Sequence, residues 1–128
     1  MPHFDDAFPI YLQIAEEIRT QILSGDLAEG ARLTSTTEYA TRYRINPATA
    51  NKAVSLLVDE GLVVKRRGIG MFVAEGALEN LRRSRRTTYT DDVLHPALDT
   101  GLALGLSSTE LRDAVATHLR TRTPKETR

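Results

Sequence analysis

The chain contains no cysteine at all among its 128 residues. That absence removes disulfides, thiolate metal sites and thiol nucleophiles together, and it fits a reducing compartment. Long hydrophobic runs are also missing: no apolar stretch approaches the roughly 20 residues a membrane span needs. The opening MPHFDDAF carries acids where a secretory signal would carry bases, so the expectation is a cytoplasmic protein with no membrane anchor. Excess charge of one sign is lacking too, with 17 Lys and Arg against 17 Asp and Glu. Taken alone, a net charge of zero argues against a nucleic-acid partner, because neutralising phosphates dominates affinity for DNA.

The distribution of charge reverses that inference. From Lys65 to Arg86 the chain holds Lys65, Arg66, Arg67, Arg82, Arg83, Arg85 and Arg86 against Glu75 and Glu79, while acids gather at Asp5, Asp6, Glu16, Glu17, Asp91 and Asp92. An apolar content of 41% supports a modest core. The length suits one domain, or a small domain with an appendage.

Hydrophobic spacing organises the first half. Ile10, Ile14, Ile18 and Ile22 recur every four residues, which predicts an amphipathic helix with Pro9 in its first turn and Gly25 at its end. The segment DLAEGARL reads as a loop. Ser35 followed by Glu38 is a capping-box pattern, predicting a second helix over 36–43 with Tyr39, Ala40 and Tyr43 inward. Asn46 as cap and Pro47 in the first turn predict a third, striped by Ala50, Ala53, Val54, Leu57 and Val58 and ended by Gly61. Two short helices so tightly joined over one core are the geometry of a helix-turn-helix.

The period then changes. LVVKRR and MFVA flank Gly68, Ile69 and Gly70, which predicts a β-hairpin with the two glycines at its tip. Beyond it, Ala77, Leu78 and Leu81 open a helix that carries RRSRR, with a break near Pro96 and an end at Gly105. The arginine run either extends a basic footprint onto flanking DNA or is the solvated face of that helix. Ser107 and Glu110 form a second capping-box pattern ahead of Leu111, Ala114, Val115 and Leu119. The expected fold is therefore mainly α with a small β-hairpin, a winged helix-turn-helix followed by a short two-helix C-terminal region. Its expected divisions are an N-terminal tail at 1–8, a DNA-binding domain at 9–75, a helical dimerisation region at 76–121 and a disordered tail at 122–128.

Residues 9–74 resemble the DNA-binding domain of GntR-type bacterial regulators, through PIYLQIAEEIRTQILSGDLAEGARL, TSTTEYA, INPATANKAVSLLVDEGLV and RRGIGMFV in that order. The Asn46-Pro47 opening and a C-terminal part of about fifty residues look like the small YtrA branch. That resemblance implies pairing through two C-terminal helices and control of a transporter operon. Two departures stand out: Thr34 and Thr37 occupy positions where the family commonly has Pro and Arg, and Ile69 replaces a commonly polar or basic wing-tip residue. Loss of a basic group at 37 removes a contact, so the operator preference of relatives does not transfer.

A recognition helix needs short polar groups opposite its apolar stripe, to enter a major groove about 12 Å wide. Here Ala48, Lys52 and Ser55 lie opposite, flanked by Thr49 and Asn51. Thr49, Asn51 and Lys52 are the expected base-edge or nearby phosphate readers, with Ala48 against a thymine methyl. Arg66, Arg67, Gly68 and Gly70 are expected at a sugar-phosphate wall or minor groove. Arg32, Arg42 and Arg44 are expected backbone clamps, with the helix caps Ser35 and Asn46 and the exposed Thr37 completing the DNA-binding set.

Specific affinity usually takes two half-sites about 34–36 Å apart. Leu98, Leu102, Leu106, Leu111, Val115 and Leu119 are more apolar residues than a short appendage can bury alone, so they are expected to form a homodimer interface. The expected partner is thus a palindromic double-stranded operator bound by a homodimer acting as a repressor. A small-molecule effector, if there is one, would sit between protomers. No cofactor is expected: His3, His95 and His118 are far apart without ligand spacing, and Ser35 and Ser107 serve as caps rather than nucleophiles. The alternative is a winged helix used as a protein-interaction module without specific DNA binding. The basic wing favours phosphate.

Overall fold

The computed structural model describes residues 8–122. The chain divides into two compact units, with the boundary between Ser84 and Arg85. The first unit opens with α1 (Ile10–Ser24), α2 (Thr36–Tyr43) and α3 (Pro47–Asp59), followed by the hairpin strands β1 (Val63–Arg66) and β2 (Gly70–Val73). The helix α4 (Ala77–Tyr89) begins in the first unit and ends in the second. A π-helical turn, Thr90–Leu94, then α5 (His95–Ala103) and α6 (Ser108–Arg122) complete the second unit. The fold is mainly α with a small β-hairpin, a winged helix-turn-helix followed by a short helical region.

The four-residue isoleucine spacing does what amphipathic periodicity requires. Ile14, Ile18 and Ile22 are buried against Ala53, Val54 and Leu57 of α3, with Val63, Val73 and Leu81 closing the core. Pro9 stands at the cap, one residue before the first helical one, rather than inside the first turn. Gly25 takes the left-handed conformation at φ +92° that ends α1, a backbone state open to a residue without Cβ. At the N-terminus of α2 the Glu38 amide N–H donates to Ser35 Oγ at 3.1 Å, and at that of α3 the Ala48 N–H donates to Asn46 Oδ1 at 2.8 Å. Each side chain satisfies an otherwise orphaned helix donor.

Between helices, Arg19 of α1 grips Glu60 at the end of α3, Nη2 to Oε2 at 2.7 Å and Nε to Oε1 at 3.0 Å. Those paired bonds raise the Arg19 pKa above its ordinary value, and Glu16 adds a third contact at 3.1 Å. Burial raises the Tyr39 pKa, with the carboxylate of Glu17, to which its hydroxyl donates at 3.3 Å, acting in the same direction.

Residues 30–33, read as loop, run beside β2: the Leu33 N–H donates to Met71 O at 2.8 Å, the Val73 N–H to Ala31 O at 2.8 Å and the Gly30 N–H to Val73 O at 2.9 Å, with Arg32 bridging Phe72. The partner of this segment lies forty residues away, beyond the reach of local turn chemistry. Gly70 is not at the hairpin tip but pairs with Arg66 as the first residue of β2. The turn itself spans Arg66 to Ile69, closed by the Ile69 N–H to Arg66 O at 2.9 Å, with Gly68 at φ +78°.

The expected break near Pro96 is replaced by the π turn. Tyr89, Leu94 and His95 all keep right-handed helical angles, and the His95 N–H donates to Thr90 O, five residues back. One extra residue in the turn accommodates a proline that has no N–H to give and whose ring crowds the preceding carbonyl. At the start of α6 the capping box is reciprocal, Glu110 N–H to Ser107 Oγ at 3.0 Å and Ser107 N–H to Glu110 Oε1 at 2.8 Å. The expected N-terminal tail falls largely on residues 1–7, and the expected C-terminal tail on 123–128, which lie outside the described residues; Arg122 is still helical.

Candidate nucleic-acid interface

The α3 backbone turns the buried stripe Ala50, Ala53, Val54 and Leu57 to the core. Residues at the complementary angles must then face outward. Ala48, Asn51, Lys52 and Ser55 are exposed and Thr49 is half-buried. Asn46 already accepts a bond from Ala48, so its carboxamide NH₂ remains the group able to donate outward. The Lys52 ammonium does not stand free: it lies over the Tyr11 ring of α1, 4.2 Å from the centroid. This cation–π contact was invisible to the helical pattern, since it joins two helices across the sequence.

At the corner between α2 and α3, Arg44 holds the left-handed conformation at φ +56° and ψ +48°. It is the one described residue other than glycine with positive φ. Left-handed backbone costs an L-residue roughly 1–2 kcal/mol. The Ile45 N–H donating to Ala40 O at 3.0 Å holds the turn in place. Thr37 and Arg42 are exposed on α2, with the Arg42 guanidinium 6.0 Å from the Tyr43 ring.

The wing presents two more guanidiniums on one face. Cross-strand pairing puts Val64 with Phe72 and Arg66 with Gly70, so these four share a side while Val63 and Val73 turn to the core. Arg66 stacks over the Phe72 ring at 4.8 Å. Arg32 packs over Gly70, where a Cβ would lie 2.8 Å from its Nε. Glycine at 70, with φ +146°, thus leaves the space that the Arg32 side chain occupies. Phe72 and Gly70 are supports that sequence reading missed or misplaced; the alternation through VVKR and GMFV was the available signal. Arg67 and Gly68 are exposed in the turn.

Chemically, this first unit offers helix caps, a short-side-chain helix face and fixed planar cations, a set matched to base edges and phosphate oxygens. The family of bacterial regulatory proteins called gntR matches residues 10–73, the whole helix-turn-helix and wing. The chain belongs to that family.

Among its relatives, the Bacillus subtilis regulator YhcF is 32% identical over 114 residues, 89% of this chain and 93% of YhcF. The B. subtilis repressor YtrA is 32% identical over 91 residues, 71% of this chain and 70% of YtrA. The repressor NagR, also from B. subtilis, is 36% identical over 96 residues, 75% of this chain but 39% of the longer NagR. A solved GntR family regulator from Listeria monocytogenes superposes with a TM-score of 0.70 at 28% identity, covering 89% of this chain and 98% of that one. The DNA-binding domain of AraR, solved in complex with operator ORR3, gives 0.51 at 30% identity over 58% of this chain and 87% of the domain. This GntR protein is accordingly a DNA-binding transcriptional regulator and not an enzyme. No helix among its described residues is long and apolar enough to cross a membrane.

Proposed function

We propose that this regulator is a cytoplasmic repressor that binds a palindromic operator as a homodimer, each protomer reading one half-site. The observation that carries the pairing is the apolar face of the second unit. Leu102, Val115 and Leu119 are 53%, 44% and 55% exposed. With Leu94, Leu98 and Leu111 they line a groove of about 580 Å³. Gly101 brings α5 and α6 together, since a Cβ there would stand 2.8 Å from Leu111 Cδ2. Gly101 is the one buried residue that α5 and α6 hold, and Leu94, Leu98 and Leu111 stay half-buried, which leaves this leucine face for a second copy. A two-fold interface covers it with the same face of the partner. The repressor role takes its support from the names of NagR and YtrA.

On the DNA side, Thr49 and Asn51 enter the major groove with Ala48, and Arg32, Arg42, Arg44 and Lys52 lie along phosphates. The wing residues Arg66, Arg67, Gly68 and Gly70 line the minor groove and its sugar-phosphate wall, and Ser35, Thr37 and Asn46 contact the backbone near the helix starts. Lys52, held by Tyr11, is better placed for a phosphate than for a base edge. Fluorescence anisotropy on DNA from upstream of its own gene, with excess nonspecific competitor and a salt series, tests the reading. Competitor-resistant binding that Asn51→Ala weakens is expected. Equal affinity for every fragment tried, genomic selections included, would move the assignment to a protein-interaction module.

The Arg32 seat gives a narrower expectation. Gly70→Ala should displace the guanidinium and lower the slope of log K against log salt by about 0.9, the share of one phosphate contact. Arg32→Ala should match it, and an unchanged slope in both would take Arg32 off the phosphate backbone.

A further inference from the structure

The wing tip holds an apolar residue that the fold does not use. Ile69 is 57% exposed and closes a turn where polar or small residues are the rule. Its neighbours Lys65, Arg66 and Arg67 are all cationic, and no acid occurs between Gly61 and Ala74. A hairpin so charged is drawn to a phosphate-lined groove, and the minor groove, about 6 Å wide, admits a tip of this kind but not a helix.

We propose that Ile69 is a specificity-determining residue: its branched side chain presses into the minor groove beneath the wing and selects A·T over G·C there by exclusion. The inference rests on the operator-binding reading above. Ile69 offers no side-chain donor or acceptor, and its own N–H is spent on Arg66 O. Its side chain therefore reads nothing by hydrogen bonding. What separates the two base-pair types in this groove is the guanine amino group, the one donor on its floor.

Against isoleucine that amino group loses water and finds no acceptor, and a desolvated, unpaired donor is the costly case. The acceptors of an A·T pair fare differently, because guanidiniums flank the tip and can turn to them. A·T tracts also narrow the groove and deepen its negative potential, which favours the same arginines. Arg66, propped on Phe72, is already held beside the tip. Exclusion by Ile69 and attraction by its neighbours then point to the same sequence.

Parallel selections from a random duplex library of roughly 30 base pairs, long enough for two half-sites, test this with the full-length wild type, Ile69→Asn and Ile69→Leu. Wild type and Ile69→Leu are expected to enrich A·T at a fixed position outside the segment read by α3 in each half-site. Ile69→Asn, whose carboxamide oxygen can accept from guanine, should lose that enrichment while keeping the bases read by α3. On matched duplexes, one A·T to G·C change at that position should weaken wild-type binding about fivefold or more and the Asn variant by less than about twofold, with identical salt slopes because no charge changes. The same base frequencies for wild type and Ile69→Asn would overturn the assignment of Ile69 alone. A wild type that enriches no sequence would instead overturn the operator reading on which it rests. Ile69 lies outside the core, so all three proteins should melt alike.

Discussion

Leu102→Lys combined with Leu119→Lys is expected to leave a monomer in analytical ultracentrifugation and to weaken binding to a two-half-site operator by about a hundredfold to ten-thousandfold. The magnitude follows from effective concentration: once one half-site is held, a linked second module binds intramolecularly, and that gain disappears when the link is cut. Both leucines are more than half exposed, so the substitutions leave the contact of Gly101 with Leu111 and the fold of the α5–α6 pair intact. Lysine on an apolar two-fold face meets its own copy there, adding repulsion to lost burial. Binding to a single half-site should be unchanged, which separates pairing from DNA reading. A wild type that sediments as a monomer at micromolar concentration, or a variant that keeps full operator affinity, would end the homodimer proposal.

The second large effect is on stability. Ile18→Ala removes most of a side chain that is 1% exposed and sits among Ile14, Ile22 and the buried face of α3. Buried isoleucine to alanine costs about 2–5 kcal/mol, through lost transfer energy and the cavity left behind. Small domains are stable by about 5–15 kcal/mol in total, so much of the margin goes. Calorimetry should show Tm lowered by at least about 8 °C. A shift of a degree or two would mean that the site collapses around the smaller residue, or that α1 carries less of the core than its burial implies.

Local chemistry makes the helix-turn-helix legible in the sequence. Ser35 with Glu38, and Asn46 with Pro47, mark helix starts because each supplies what a helix N-terminus lacks. Isoleucine spacing in α1 and the alanine–valine–leucine stripe of α3 then settle which faces meet. What escaped was non-local. Arg32 bridges Phe72 because a segment before α2 happens to fall along β2, and nothing in residues 26–33 by themselves distinguishes that from a loop. Lys52 over Tyr11 joins α3 to α1. The π turn at 90–94 was missed because a proline reads locally as a helix stop, whereas one extra residue in the preceding turn lets the helix pass. Among the candidate DNA contacts, the sequence places Arg42 in the second helix and Arg66 in the hairpin but leaves Arg32 in a loop, and only the packing distinguishes Arg66 and Arg32, each seated against a neighbour, from Arg67 in the open turn.

The backbone bonds between residues 30–33 and β2 have a mechanical consequence. A lone two-stranded ribbon is marginal in water and would swing about its root. Here β2 is held on both edges, by β1 on one and by the 30–33 segment on the other. That second segment runs directly through Leu33 to the Ser35 cap of α2. Tilting the wing would therefore drag the start of α2, and shifting α2 would pull the wing. The wing and the start of α2 thus move as a single lever, so a strained or bent DNA would be met by one stiff body rather than by a flexible arm beside a fixed helix.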